Sequence, residues 1–328
     1  MKAFFVALCL SFLLVGCSKP SDAPSTSGST ATTDERIQIA VIPKGTTHVF
    51  WKSVEAGALE AGKELGVDVI WKGPLTEDDK DQQIKVVEDF ITKGVKGIAL
   101  APLDDMALRT PVKEAQDAGI PVLIFDSALR DADMVSFVAT DNHAAGKAGG
   151  EHLVKLLGGK GRVILLRYQE GSASTMEREA GFLEAMKAAP GIEVISDNQH
   201  GGATVESAQT KSESLLERFK NPAIDGIFCP NESTTFGMLR ALQNAGSAGK
   251  VKFVGFDSSD QLVKAIEDGQ IDALVVQNPI KMGYLAVKNL VDHIRGTKVE
   301  GRIDTGATLV EKANLADPEV AALVRPKS

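Results

Sequence analysis

From Ile37 onward, short apolar runs alternate with longer stretches in which apolar residues recur every three or four positions. The runs Ile37–Ile42, Val67–Trp71, Gly97–Ala101, Pro121–Phe125 and Ser136–Thr140 are bounded by Gly, Pro or Asp. Runs of that length read as parallel strands covered on both faces. The stretches between them read as helices. In "KSVEAGALEAGKELG", Val54, Ala58, Ala61 and Leu65 share one face, and Gly66 is the stop. In "DDKDQQIKVVEDFITKG", Ile84, Val87 and Ile91 share a face, and Gly94 ends the helix. Asp104 or Asp105 caps the next helix, which stops at Gly119.

The alternation then restarts. A helix is expected from about Asn142 to Leu157, with strands at Arg162–Arg167, Ile192–Ser196, Gly226–Cys229, Lys252–Asp257 and Asp272–Gln277. A last helix at about Pro279–Arg295 and a strand near Ala307–Glu311 close the series. Two successive βαβαβ series predict an α/β protein of two doubly wound parallel-sheet lobes with right-handed crossovers. The length, 328 residues, is more than one ordinary core accommodates and fits two.

The first 36 residues differ in kind. Lys2 and the apolar Ala3–Val15 have the layout of a signal peptide. Leu14-Val15-Gly16-Cys17 resembles a bacterial lipobox, which implies cleavage after residue 16 and lipidation of the Cys17 thiol. A plain signal peptide with an incidental cysteine is the competing reading. Ser18–Glu35 is rich in Ser, Thr, Pro and Asp, too polar to bury an apolar core, and reads as a flexible leash. The expected organisation is a signal peptide (1–16), a lipidated cysteine with its linker (17–36), an N-terminal lobe (37–139 plus about 278–302) and a C-terminal lobe (140–277 plus about 303–328). The expected location is the bacterial cell envelope, in the periplasm or on the outer face of the inner membrane, held by the lipid.

Charge and motifs narrow the function. The net charge of −8 and the lack of a basic run argue against a nucleic-acid partner. Cys9, Cys17 and Cys229 form no CxxC, zinc spacing or disulfide framework, and Cys229 in "GIFCPN" reads as a buried strand residue. The sequence holds no GxxxxGK[ST], no GxSxG and no HExxH. No metal, no cofactor and no enzymatic activity are therefore expected.

Polar residues gather at the carboxyl ends of the predicted strands, where open α/β sheets bind ligands. They are "KGTTHVFW" (Lys44–Trp51), Asp126-Ser127, Asp141-Asn142, Asn231, Asp257 and Gln277. Only 5% of the chain is aromatic, so the adjacent Phe50 and Trp51 stand out in a polar loop. Flat apolar walls with convergent carboxylates and amides suit a polyol.

The segments "VIPKGTTHVFWKSVEAGALEAGKELGV", "IFDSAL", "VATDNHAAG", "MEREAGF", "CPNESTTFGMLRAL", "VGFDSSDQL" and "VVQNP" together resemble the type I periplasmic sugar-binding proteins, the ribose-binding-protein-like family. The resemblance spans about Ile37–Glu311. It implies two lobes joined by three hinge crossings, near Thr140, Gln277–Asn278 and Arg302–Thr305, that close on a monosaccharide. It further implies a monomer that delivers its ligand to the permease of an ABC transporter. It assigns stacking aromatics to Phe50 and Trp51, hydroxyl-binding carboxylates to Asp126 and Asp257, and further polar contacts to Arg178, Asn231 and Gln277. His48 stands where the ribose binders commonly have asparagine, and Ser127 where they have arginine. Their remaining wall aromatics find no match near Gly201-Gly202, which leaves Phe256 as the candidate on the far side. "IPKGTTHVFW" and "WKGP" also resemble the branch that takes rhamnose or autoinducer-2, so a receptor presenting its ligand to a chemoreceptor or sensor kinase is the alternative.

Each site residue also has a purely structural reading. Asp126, Asp257 and Asn231 could serve as helix caps, Phe50-Trp51 as a hydrophobic staple, Arg178 as a surface helix residue, and Gln277 as a hinge residue alone, but their joint arrangement at the strand ends favours the pocket.

Overall fold

A computed structural model describes residues 36–221 and 223–325. The signal-peptide and Cys17 readings lie outside the described residues.

The first sheet contains β1 (Gln38–Ile42), β2 (Asp68–Trp71), β3 (Gly97–Leu100), β4 (Val122–Phe125), β5 (Phe137–Ala139) and β11 (Arg302–Asp304), in the order β11-β5-β4-β3-β1-β2. All its pairings are parallel. The second contains β6 (Lys160–Arg167), β7 (Gly191–His200), β8 (Gly226–Phe228), β9 (Lys252–Phe256), β10 (Ala273–Gln277) and β12 (Ala307–Glu311), in the order β12-β10-β9-β8-β6-β7. The two sheets share one strand order. Their central strands are apolar because both faces are covered. Ile39, Val41, Leu123 and Phe125 point into one core, while Ala40, Ile42, Val122 and Ile124 point into the core on the other side.

Two strands depart from the sequence expectation, and the helix expected to be capped by Asp104 or Asp105 starts later, at Arg109, with Leu108 at its N-cap. Arg302–Asp304, read as connecting chain, is a strand parallel to β5. β12 is antiparallel to β10, with Gln277 opposite Ala307. The cause is the link before it. Only Thr305 and Gly306 separate β11 from β12, so the chain enters the second sheet where β10 ends and must run back along it.

The chain crosses between the sheets three times. The first crossing follows β5 at Thr140-Asp141, the second follows β10 at Asn278, and the third is Thr305-Gly306. Thr140 Oγ1 donates to the Gly306 carbonyl (3.2 Å), and the Asp141 N–H donates to Asp304 Oδ1 (3.0 Å), so the first and third crossings are bonded side by side.

Helix α4 (Asn142–Leu156) packs on α5 (Ala173–Lys187) through glycine. A Cβ on Gly146 would lie 2.0 Å from the carbonyl oxygen of Arg178, and one on Gly181 would lie 2.1 Å from that of His143. The obstacle is backbone, which cannot rotate aside. Gly146→Ala is expected to cost about 1–3 kcal/mol by overpacking. That loss is read as a lower urea midpoint at unchanged slope. A midpoint equal to wild type would show that the two helices separate at no cost.

Candidate functional site

The carboxyl ends of both sheets face one cavity of about 30 Å3, roughly the room of one water molecule. Small-molecule pockets usually run to about 300–1,000 Å3, so the cavity in this conformation is too small for a sugar-sized ligand.

The first wall grows out of β1. Helix α1 (Val49–Leu65) starts just after it, with His48 at its N-cap. Phe50 and Trp51 turn inward and are buried. Trp51 meets Phe50 edge-on at 4.9 Å and Phe125 at 6.3 Å, which fixes its plane. Trp51 Nε1 donates to Glu77 Oε1 at 2.7 Å, and His48 Nδ1 lies 2.7 Å from the same oxygen. Lys44 Nζ pairs with Asp126 Oδ2 at 3.1 Å and reaches the other lobe, donating to Ser172 Oγ (3.1 Å) and Ser174 Oγ (2.9 Å).

The second wall grows out of β6, β8, β9 and β10. Arg178 is 2% exposed, so the surface-helix reading fails. Its Nε donates to Asn142 Oδ1 (2.8 Å), and its Nη1 to the Pro230 carbonyl (3.0 Å). Its guanidinium lies 4.0 Å from the centroid of the Phe256 ring. Phe256 therefore supports Arg178 from below and is absent from the cavity lining. Asp257 accepts from Gln277 Nε2 (2.8 Å) and from the Glu232 N–H (3.1 Å).

Asp126 and Asp257 follow the fourth strand of their respective lobes, and both have left-handed backbones, at φ 60° and 65°. Neither caps a helix. Asp126 ends β4 and leads to β5, and Ser259 caps α8 (Asp260–Glu267). Asn231 does cap α7 (Glu232–Asn244), accepting from the Thr234 N–H at 3.3 Å, and it also lines the cavity.

The cavity thus brings together His48, Phe50, Trp51, Asp126, Arg178, Asn231, Asp257 and Gln277. Ser127 is not on its surface, because its hydroxyl accepts from the Ser174 N–H at 3.0 Å behind the wall. Seven lining residues escaped the site assignment: the charged or aromatic Lys44, Glu77, Tyr168 and Glu232, and the hydroxyl-bearing Ser172, Ser174 and Thr175. Tyr168 is fully buried and donates to Glu77 Oε2 at 2.8 Å. The Gly202 N–H donates to the Tyr168 carbonyl (2.9 Å), so this ring stands beside the glycines where the sequence showed no aromatic. Glu232 accepts from the N–H groups of Phe50 (3.1 Å) and Val49 (3.4 Å), at the positive end of α1.

Three cations (Lys44, His48, Arg178) thus face four carboxylates (Glu77, Asp126, Glu232, Asp257). Burial opposes charge on His48, yet the Glu77 carboxylate and its hydrogen bond prevail and push the imidazole up to about 9. Burial likewise opposes charge on Glu77, but His48, Lys44 and the Trp51 bond bring it down to about 2. Burial raises Asp257 and Glu232, with Arg178 and His48 respectively opposing it. The His48 contribution to stability is complete below pH about 6.5 and lost as pH rises through about 9. That of Glu77 is complete above about 4.5 and lost as pH falls through about 2.

Behind Tyr168, Glu179 accepts from the Tyr168 N–H (3.0 Å) and from Arg167 Nη1 (2.9 Å). Burial outweighs these donors and raises Glu179 to about 7. A raised acid favours its protonated form, so its contribution is complete below pH about 4.5 and lost as pH rises through about 7. Glu179→Gln, permanently neutral, is expected to gain stability over wild type progressively from pH 5 to 8 in urea melts. A difference independent of pH would show that Glu179 is already ionised at pH 5.

Residues 39–298 match the family model described as "Periplasmic binding protein domain". The chain is 33% identical over 270 residues to the D-allose-binding periplasmic protein of Escherichia coli K12, a match covering 80% of this chain and 86% of that protein. It is 29% identical over 276 residues to the ribose import binding protein RbsB of Salmonella typhimurium, covering 84% and 90%. A carbohydrate transporter solute-binding protein from Agrobacterium radiobacter, solved with D-arabinose, superposes with a TM-score of 0.85 at 33% identity, covering 89% of this chain and all of that one. An ABC transporter solute-binding protein from Agrobacterium vitis, solved with D-fucose, gives 0.84 at 35% identity, covering 88% and 99%. These relatives are solute-binding proteins, not enzymes. With two equivalent parallel-sheet lobes, three crossings and a polar cavity between the strand ends, the chain belongs to the periplasmic binding protein family.

Proposed function

We propose that this protein binds a neutral pentose or hexose between its lobes and delivers it to an ABC importer, held at the cell envelope by a lipid on Cys17. The family implies a periplasmic or envelope location. The relatives named for allose and ribose, and the neighbours carrying D-arabinose and D-fucose, support the ligand class.

One observation carries the reading. Gln277 Oε1 is buried in the cavity wall and, among the described residues, has no hydrogen-bond partner. An unmet buried acceptor is costly, and a hydroxyl is a donor of the right kind. The balance of charge supports a neutral ligand, because the cations are already matched by carboxylates and leave no surplus for a phosphate or uronate. The geometry supports closure. A ligand that touches Asp126 in one lobe and Asp257 in the other binds the closed form better and shifts the population toward it.

A thermal-shift screen of the full-length protein tests the class. Neutral pentoses and hexoses are expected to raise the midpoint by mass action, and sugar phosphates and uronates are not. The reading fails if no neutral sugar acts, or if the charged ones act more strongly. On the sugar identified, Asp126→Asn should weaken binding between about tenfold and a hundredfold, the loss of one charge-assisted hydrogen bond. Calorimetric titration measures it, and unchanged affinity would remove Asp126 from the site. For the anchor, Cys17→Ser should move the protein from the detergent phase to the aqueous phase, or leave it uncleaved. Equal partitioning with wild type, at the same mature length, would end the lipid reading.

A further inference from the structure

Glu77 lies in the loop between β2 and α2 (Lys80–Lys93), outside any strand or helix. Its side chain is 9% exposed. From its own lobe it is met by His48 Nδ1 and Trp51 Nε1, both at 2.7 Å on Oε1. From the other lobe, Tyr168 donates to Oε2 at 2.8 Å, and Gln169 Nε2 donates to the Glu77 backbone carbonyl at 2.7 Å. Two bonds come from each side of the cleft onto one residue.

We propose that Glu77 is a positioning residue and latch: it holds His48 and Trp51 in place on one lobe, and takes Tyr168 and Gln169 from the other when the lobes meet. The closed form is then held by protein–protein bonds before a ligand arrives. This inference rests on the sugar-binding reading only for its effect on affinity. Its effect on closure stands apart from any ligand.

The chemistry of the four bonds supports the assignment. The Glu77 carboxylate stays ionised through the ordinary pH range because cations and donors surround it. Its oxygens are occupied by His48, Trp51 and Tyr168, so it has little capacity left for ligand hydroxyls. A hydrogen bond to a charged acceptor is among the stronger ones, so losing it shifts an open–closed equilibrium measurably.

A latch and a ligand contact leave different signatures. Apparent affinity is the intrinsic affinity scaled by the fraction of molecules in the binding-competent form. A residue that sets only that fraction changes the affinity for every ligand by one factor. A residue that touches the ligand changes affinities unequally.

Tyr168→Phe removes the cross-lobe hydroxyl and keeps the ring. Trp51 and Trp71 are the two tryptophans, so Trp71→Phe makes Trp51, which is 2% exposed, the sole reporter of closure. In the full-length protein without sugar, Tyr168→Phe is expected to increase acrylamide quenching of Trp51. Titrations with D-ribose, D-allose and D-arabinose should all weaken by a common factor, between about twofold and tenfold. Glu77→Gln places an amide donor against His48 and Trp51, and should increase the quenching further. Unchanged quenching in both variants overturns the latch. Unequal losses across the three sugars also overturn it, by making Tyr168 a ligand contact. If wild type binds none of these sugars, the sugar-binding reading fails, and the ligand-free quenching still decides the latch.

Discussion

Ionised side chains pressed between two bodies must be paired, because removing an unmatched charge from water costs several kcal/mol. In this protein three cations and four carboxylates meet where about one water molecule fits. The ion pairs Lys44–Asp126 and His48–Glu77 form within the first lobe, and hydrogen bonds from these and neighbouring groups run across the cleft. Lys44, still paired with Asp126, reaches Ser172 and Ser174, Glu232 reaches the amino end of α1, and Glu77 receives Tyr168. Each lobe alone would present these groups to water. Closure in this alignment meets donors and acceptors from both lobes at once. The rigid sheets, covered on both faces, keep that alignment reproducible.

The hinge is tied to the same constraint. The first and third crossings are bonded to each other through Thr140, Asp141, Asp304 and Gly306. The second begins at Gln277, whose amide already holds Asp257 and whose oxygen lacks a partner among the described residues. A ligand hydroxyl on that oxygen would act on the crossing itself. Under the proposed reading, ligand occupancy and lobe angle would be linked at one residue, without a relay through the core.

The alternation of apolar runs and amphipathic stretches made both lobes legible, because strands buried on two faces leave a continuous signature. Asp126, Asp257 and Gln277 were legible because they follow such runs directly. Glu77 was not. It sits in "LTEDDK", where acidic residues before a helix read as caps, and Asp79 is indeed the cap of α2. Tyr168 lies 91 residues from Glu77, and no periodicity relates them. Ser127 was placed in the site by analogy with an arginine, whereas the cation beside Asp126 comes from Lys44, on a different strand end. The direction of β12 depends on the two-residue link before it, a matter of geometry that composition does not record.

The paired aspartates show why the fold repeats itself. Both sheets have the same strand order, and both place an aspartate in a left-handed backbone after the fourth strand. That conformation is costly for most residues, and aspartate is among the few side chains that tolerate it. Glycine would remove the strain but also the carboxylate. A residue with a longer acid would carry the charge farther from the strand end and into a cavity that has no room for it. Strain is accepted at both positions because each sets one acceptor on its own side of the cleft. Under the proposed reading, a ligand between them would be held by both lobes at once, and neither lobe alone would supply the site.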